Sequence, residues 1–437
     1  MRHLMNNSLS TLQWFIFMIT SSIALPIVIG SAFHLSAGEV EGLVQRTLFI
    51  VGLSSFLQGW IGHRMPLMDG PAGSWVSVFV LFADVAVRHG QQPSQSLQLL
   101  EGGLLVAGVL LILLGATGAI YKILPLFTPL VTGSFLLLLV VQLSGVFLKG
   151  MLGIHGETDI PNYGASLIAF GIFGLVVWLS SKGKGWSKTY AILIGIAGGW
   201  IIFALIGKAP FALSAGDTPF VKLPEVFAWG PPEFNAGIVT TAVLFTITLV
   251  SNTIAAVTAV SEQLPEANKD IMKRRMNRAS LIGGVSHMLT ASASTVGVVP
   301  LPVSAGFIRM TGQRSRGPFL AACLLLVGIG TLPVVLRMLS QVPGQVASAV
   351  LLASFVQLAG ISFASLSKET NNQRGLTILG VAMLVGIGIM FLPPNALAGL
   401  PPTLQDVVGN GLLVGTLIVI ALERLWKKPA AVLNSGP

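Results

Sequence analysis

From Thr11 onward the chain is a succession of apolar runs, each closed by a short polar break or one bearing Gly and Pro. A helix needs about 20 apolar residues to cross the hydrocarbon core of a bilayer, and most of these runs approach that length. In lipid every backbone N–H and C=O must be satisfied within the protein, so spanning segments of this kind are helices. Composition points the same way. The 437 residues are 53% hydrophobic and 9% charged, whereas a soluble domain carries about 25% charged residues. The sequence reads as an all-α polytopic membrane protein. The start, MRHLMNNSLSTLQ, leads into an apolar run with no small-residue cleavage site, so no signal peptide is expected.

Apolar length and breaks place fourteen segments, at about 11–32, 48–61, 70–87, 99–119, 124–147, 165–179, 190–206, 237–260, 279–289, 289–311, 319–335, 342–363, 376–391 and 407–422. With the N-terminus inside, 19 of the 25 Lys and Arg fall on the inner side, among them Lys269, Lys273, Arg274, Arg275 and Arg278. Basic residues gather in cytoplasmic loops, and a miscounted crossing would destroy the bias. Both termini are therefore expected in the cytoplasm. The same rule accounts for the net charge of +9 without invoking nucleic acid. The single cysteine, Cys323, excludes an internal disulfide, and the six histidines show no metal-ligand spacing.

Two segments are built wrongly for plain spanning helices. In 289–311, Ser292, Ser294 and Thr295 are small and polar, and the β-branched run Thr295–Val299 is interrupted by Gly297. Pro300 and Pro302 then mark the start of a helix, since proline suits the first turn and not the interior. The expectation is a strand-like break at membrane depth followed by a half-helix, an arrangement tolerated only where protein or a polar cavity covers it. The third segment repeats the oddity: Gly70, Pro71 and Gly73 precede a short β-prone run from Trp75 to Phe79. Both breaks fall at the same place in two sets of seven segments. An odd-numbered repeat must be inverted relative to its copy, and paired broken helices mark the substrate site of secondary transporters. Gly70, Gly73, Gly297, Pro300 and Pro302 are the structural signature of that site.

Candidate contacts surround the breaks. Ser251, Asn252 and Thr253 sit mid-segment in the eighth span, where an Asn offers both donors and acceptors to a ligand or to a neighbouring helix. Ser21 lies in a Ser/Thr run of the first span that either lines the cavity or bonds back to its own helix. Ser74 and Trp75 stand beside the third-segment break; an aromatic there suits stacking on a planar ligand or ordinary packing. Asp69 either caps the half-helix or belongs to the site, Asp84 lies near the outer end of the same segment, and His287 is placed in an apolar run. No GxxxxGK[ST], nucleophile elbow or cysteine cluster is present, so neither ATP-driven transport nor an enzyme is expected, and no cofactor or metal is implied.

Several stretches resemble the nucleobase–cation symporter-2 family, the nucleobase–ascorbate or xanthine/uracil permeases. Leu12-Gln13-Trp14 through Pro26 is similar to a first span that opens LQH and ends at proline, and 70–79 to the Gly-Ser-Ser-Phe-Ala-Phe segment. Thr128-Pro129-Leu130-Val131-Thr132-Gly133 is close to PPVVTG, and Val342-Pro343 through Gly360-Ile361 resembles the twelfth-span pattern. The stretch around Ser294 occupies the signature position, [QEP]-N-x-G-x-x-x-x-T. The resemblance implies fourteen spans in two inverted repeats. It implies a core domain at 8–119 and 237–338, a gate domain at 120–207 and 339–425, an extracytoplasmic connection at 208–236 and a cytoplasmic tail at 426–437. It also implies a multi-pass cell-membrane permease moving purines such as xanthine, uric acid, guanine or hypoxanthine with protons by an elevator-like motion, and a homodimer. The family's base-binding Glu of the eighth span falls on Asn252, two signature residues fall on Ser294 and Thr295, the closing Thr on Pro302 and the first-span His on Trp14; Gly297 is kept. The substrate site expected on this basis is Asn252, Ser294, Thr295, Trp75, Ser74, Ser251 and Ser21. A site without acids, faced by half-helix N-termini, would also suit an anion, and a ligand-binding paralogue that does not transport is the other alternative.

Overall fold

The computed structural model describes residues 2–76, 78–79, 93–154, 161–208, 219–264, 269–369, 372–397, 399–400, 404 and 408–426. Asp84 lies outside them. The main helices are α1 (Arg2–Ala32), α2 (Ala37–Trp60), α3 (Pro93–Thr117), α4 (Pro129–Leu152), α5 (Tyr163–Lys182), α6 (Ala191–Leu205) and α7 (Ala236–Ser261). They continue with α8 (Lys269–Ser292), α9 (Val303–Thr311), α10 (Arg316–Ile329), α11 (Pro333–Ser340), α12 (Gly344–Leu366), α13 (Gln373–Met390) and α14 (Gly411–Leu425). Two three-residue strands, β1 (Asp69–Pro71) and β2 (Val298–Pro300), interrupt the third and tenth segments. Among the described residues eight helices are long and apolar enough to span, or nine if the bent pair α10–α11 is one span. The two broken segments, the short α6 and α14, and α8 with its basic first turns are consistent with the remainder of the expected fourteen.

Local chemistry sets the helix ends. Ser36 and Glu39 form a reciprocal capping box on α2, with the Ser36 N–H donating to Glu39 at 2.8 Å. Asn235 accepts from the Ile238 N–H at 2.7 Å and starts α7. Two boundaries differ from expectation. The ninth span begins at Lys269, ten residues before the predicted Ala279, because the basic stretch 269–278 is made of good helix formers and continues the apolar part as one helix. The eleventh span is not straight: α10 and α11 meet at 89°. Gly330 ends the first, and Leu332, extended ahead of Pro333, prevents the second from continuing its axis.

The chain divides into two compact units. The first comprises 1–124 and 143–357. In it, packing is exchanged between halves. α3 of the first half lies against α8 of the second, while α2 lies against α10; α7 packs on α3, and α1 on α10. Each of these pairs is the inverted counterpart of another, as two interlocked repeats require. The two strands meet at the centre. They pair antiparallel with Asp69 opposite Pro300, Gly70 opposite Val299 and Pro71 opposite Val298. Proline lacks an N–H, so Pro71 and Pro300 do not donate to the ladder; the next residues do, Ala72 N–H to Gly297 O at 2.8 Å and Leu301 N–H to Met68 O at 2.9 Å. Pro300 thus ends a strand and does not start the helix, and Pro302 alone stands at the N-cap of α9.

The second unit comprises 125–142 and 358–437. Within it α13 and α14 cross closely where Gly386 faces Gly411 and Gly415, with Leu138 against them. Arg374 is buried and donates from its Nη2 to the Glu423 carbonyl at 2.9 Å, closing the C-terminus of α14. Leu167 and Trp178 on α5, Leu205 on α6, Leu324 and Leu325 on α10 and Leu384 on α13 are exposed, the apolar exterior that a lipid environment accommodates.

Candidate functional site

The β1–β2 ladder fixes the surroundings of every residue singled out above. Asn252, half-buried on α7, donates its amide N–H to the Pro300 carbonyl at 2.9 Å, so the middle of the eighth helix is tied to the end of β2. The carbonyl it uses is one the strand leaves over. Its neighbour Ser251 is buried, and the Ser251 hydroxyl has no hydrogen-bond partner among the described residues. Thr253 spends its hydroxyl on Leu249 O of its own helix at 2.9 Å.

Trp75 stands two residues past Gly73, at the start of the helical turn after β1. Its Nε1–H donates to His287 Nε2 at 3.0 Å, and the other His287 nitrogen lies 2.8 Å from the Gly283 carbonyl. A carbonyl accepts only, so Nδ1 carries the ring's proton and Nε2 is the acceptor that Trp75 requires. Phe245 of α7 packs on the indole at 4.8 Å between centroids, and Gly297 closes against its edge; a Cβ there would overlap the ring. The glycine that keeps the signature is thus set by the tryptophan opposite. Ser74 is buried, and a Cβ at Gly73 would meet the Phe355 ring at 3.2 Å. Ser21 is half-buried on α1; beside it Thr20 and Ser22 bond back to Ile16 O and Met18 O.

Ser294 and Thr295 are held elsewhere on the ladder's approach. α8 ends with Ser294 in the left-handed region at φ 46°, and the Thr295 N–H reaches back to Thr290 O at 3.2 Å. The Ser294 hydroxyl donates to Glu101 of α3 and accepts from the Trp229 N–H at 3.3 Å. The Ser294 carbonyl takes Arg46 Nε at 3.0 Å, and the Arg46 guanidinium lies over the Trp229 ring at 5.9 Å. Thr47 donates to Leu43 O, which leaves Thr295 to donate to Thr47 at 2.7 Å. The structure therefore forms two clusters: Asn252 and Ser251 on α7 with the end of β2, and Ser294 and Thr295 with α2, α3 and Trp229. Trp75 and Gly297 lie between them along the chain of contacts.

Two residues beside the site, Glu101 and Arg46, escaped the sequence reading of it. Glu101 is fully buried, and the signal for it was present: a lone carboxylate in the apolar run SLQLLEGGLLVAG is a default functional candidate. Arg46 is one of the six Lys and Arg that the charge bias leaves on the outer side, and nothing in its local sequence marks it for the site. Trp14, where the resemblance puts a His, is enclosed by Phe17, Phe307 and Phe319 at 5.7, 4.5 and 5.0 Å.

Comparison with known proteins follows the same lines. The xanthine/uracil profile described as "Permease family" matches residues 5–395. YwdJ of Bacillus subtilis is 33% identical over 429 residues, covering 96% of both chains. The uric acid permease PucJ of the same organism is 27% identical, covering 95% of this chain and 91% of its own, and its xanthine permease is 24% identical, covering 95% and 92%. Among solved structures, the transmembrane domain of the cyanobacterial bicarbonate transporter BicA superposes with a TM-score of 0.61 at 15% identity, covering 96% of this chain and 98% of that one. Murine Slc26a9, an anion transporter, gives 0.63 at 12% identity, covering 96% and 67%. At such identities these two structures speak for the shared fold alone.

Proposed function

Because this chain belongs to the xanthine/uracil permease family, we propose that it is a secondary transporter of nucleobases in the cell membrane, with purines such as xanthine, uric acid, guanine or hypoxanthine as substrates. The observation that supports this most is the tie between Asn252 and the paired breaks. A purine presents N–H and C=O groups in one plane, and a primary amide meets such an edge with both a donor and an acceptor. Asn252 has one amide hydrogen on Pro300 and keeps its carbonyl oxygen for an N–H of the base. Ser251 adds a hydroxyl without a partner among the described residues. Ser294 and Thr295 offer backbone and hydroxyl contacts, Ser21 lines the first-helix side, and Ser74 and Trp75 close the site from the third segment. α9 begins just beyond β2, and its N-terminal end favours carbonyl oxygens or the negative charge of a urate.

In this reading the core domain, 8–119 and 237–338, moves against the gate domain, 120–207 and 339–425, with proton uptake as the driving reaction and both termini in the cytoplasm. Uptake of radiolabelled xanthine, uric acid, guanine and hypoxanthine by a host lacking its own purine permeases tests the substrate. At least one base should accumulate tenfold above vector, resist competition by small carboxylates, and fall to near vector in Asn252→Ala. Uptake equal to vector for all four, or inhibition by carboxylates alone, would sink the assignment.

A further inference from the structure

Among the described residues the first unit buries two carboxylates completely, and they are answered differently. Glu101 faces Ser294, and Arg46 reaches the same residue from the other side. Asp69 has no such cation. One of its oxygens, Oδ2, takes the Ser54 hydroxyl; the other, Oδ1, has no hydrogen-bond partner among the described residues. Its backbone is clamped by Ser55, which accepts the Asp69 N–H at 2.9 Å and donates to the Asp69 carbonyl at 3.1 Å. The groups around the carboxyl come from every neighbouring element. α2 supplies Ser54, Ser55 and Gln58, whose amide nitrogen gives one hydrogen to Ala279 O at 3.0 Å and whose side chain also faces the carboxyl. α8 supplies Ser286, followed by His287 with both nitrogens engaged. α10 supplies the buried Cys323 thiol, 4.0 Å from Met18 Sδ of α1. β2 supplies Pro300. None of these is a Lys, an Arg or a free imidazole.

The Ser54 hydroxyl has a single hydrogen and two oxygens to give it to, Asp69 Oδ2 and, at 2.6 Å, Ser286 Oγ. Two arrangements satisfy the chain. With Asp69 ionised, Ser286 donates to Ser54 and Ser54 to the carboxylate. With Asp69 protonated, the direction reverses, the acid donating to Ser54 and Ser54 to Ser286. The site therefore holds the residue in either charge state without moving a heavy atom, whereas a buried carboxylate with no cation beside it is costly in its charged form alone.

We propose that Asp69 is the proton-carrying group of transport, a proposal that rests on the reading of the chain as a proton-coupled permease. On loading, a proton from one aqueous face forms an O–H bond with the carboxylate; on release that bond breaks and the same proton leaves to the other face. Nothing else is made or broken. The link to substrate is short. Asp69 stands opposite Pro300 in the ladder, and the Pro300 carbonyl holds Asn252. A base that takes up Asn252 alters the grip on the strand residue that faces the proton, and cotransport needs that mutual dependence.

The test uses the full chain in liposomes and the radiolabelled purine that the wild type takes up. Wild type should show counterflow and, with an acid exterior, at least tenfold accumulation. Asp69→Asn should keep counterflow within threefold and lose the accumulation. If wild type shows no counterflow, the substrate assignment itself falls. If wild type exchanges but ignores the pH gradient, or if Asp69→Asn accumulates like wild type, the assignment of Asp69 falls while the permease stands. Should Asp69→Asn fail to fold, Ser54→Ala and Ser286→Ala decide: each keeps the carboxyl and breaks the hydroxyl chain, so the pH midpoint of accumulation should move at least threefold in proton concentration. An unmoved midpoint in both, or a midpoint that moves only in Glu101→Gln, overturns the proposal.

Discussion

Gly297 and Trp75 form a lock between the halves of the chain. The indole occupies the space that any side chain at Gly297 would need, and its N–H has His287 as acceptor. Gly297→Ala must shift an enclosed ring, and overpacking of this kind costs about 1–3 kcal/mol; the expected result is a lower melting temperature in detergent and at least a tenfold drop in uptake. Trp75→Phe keeps most of the packing and removes the donor, leaving the buried His287 Nε2 bare at a cost of about 1–3 kcal/mol. A double-mutant cycle with His287→Phe should recover most of that loss, since both polar groups are then gone; strict additivity would show that the hydrogen bond contributes nothing. The sequence revealed that Gly297 mattered, through the signature and its β-prone neighbours. It could not reveal why, because the Trp75–His287 bond joins positions 212 residues apart and no local pattern encodes such a partner. Glu101 was legible as a charge in an apolar run, but its pairing with Ser294 across 193 residues was not.

At the level of elements, the breaks were readable and the bends between helices were not. Gly and Pro are instructions to the backbone itself, so 70–73 and 297–302 announced the breaks without knowledge of their surroundings, but the strands were misplaced. They are 69–71 and 298–300, and the β-prone run expected from Trp75 is helical at 73–76 and 78–79, because β-branched and aromatic residues follow their tertiary setting. The turn between α10 and α11 also carries Gly and Pro, but a span of continuous hydropathy hides a change of direction. The start of α8 was missed because hydropathy reports where lipid begins and not where a helix begins. Helix pairing depends on small residues in a way the structure makes specific. α3 and α8 approach through Gly108 and Gly284, each of which would drive a Cβ into the other's carbonyl, and through Gly115 against Asn277 and Leu281. Gly284→Val should therefore lower the yield of folded protein and its melting temperature severely. Gly174→Ala in α5, where a Cβ meets nothing within 4 Å, should be neutral or stabilising by up to about 1 kcal/mol. Equal behaviour of the two variants in a detergent melting assay would contradict this account of the α3–α8 contact.

For the whole molecule, Cys323 is a convenient reporter. The chain's only thiol is fully buried on α10, where a Cβ at Gly52 of α2 would meet its carbonyl at 2.8 Å. A membrane-permeant maleimide should label it in native membranes at least a hundredfold more slowly than in dodecyl sulfate; rapid native labelling would mean that the α2–α10 packing opens on that timescale. The exchanged packing of the repeats has a consequence for how the protein is made. Every broken span of the first unit needs a strand from the other half, and β2 lies 227 positions after Pro71. The ribosome therefore finishes the first seven segments well before the partner of β1 exists, and until then the Gly70 backbone has no ladder to join. An early product of synthesis carries an unmet stretch of peptide in the bilayer, and completion of the tenth segment is the event that removes it. Truncation anywhere before Val298 leaves a chain without the strand that β1 pairs with.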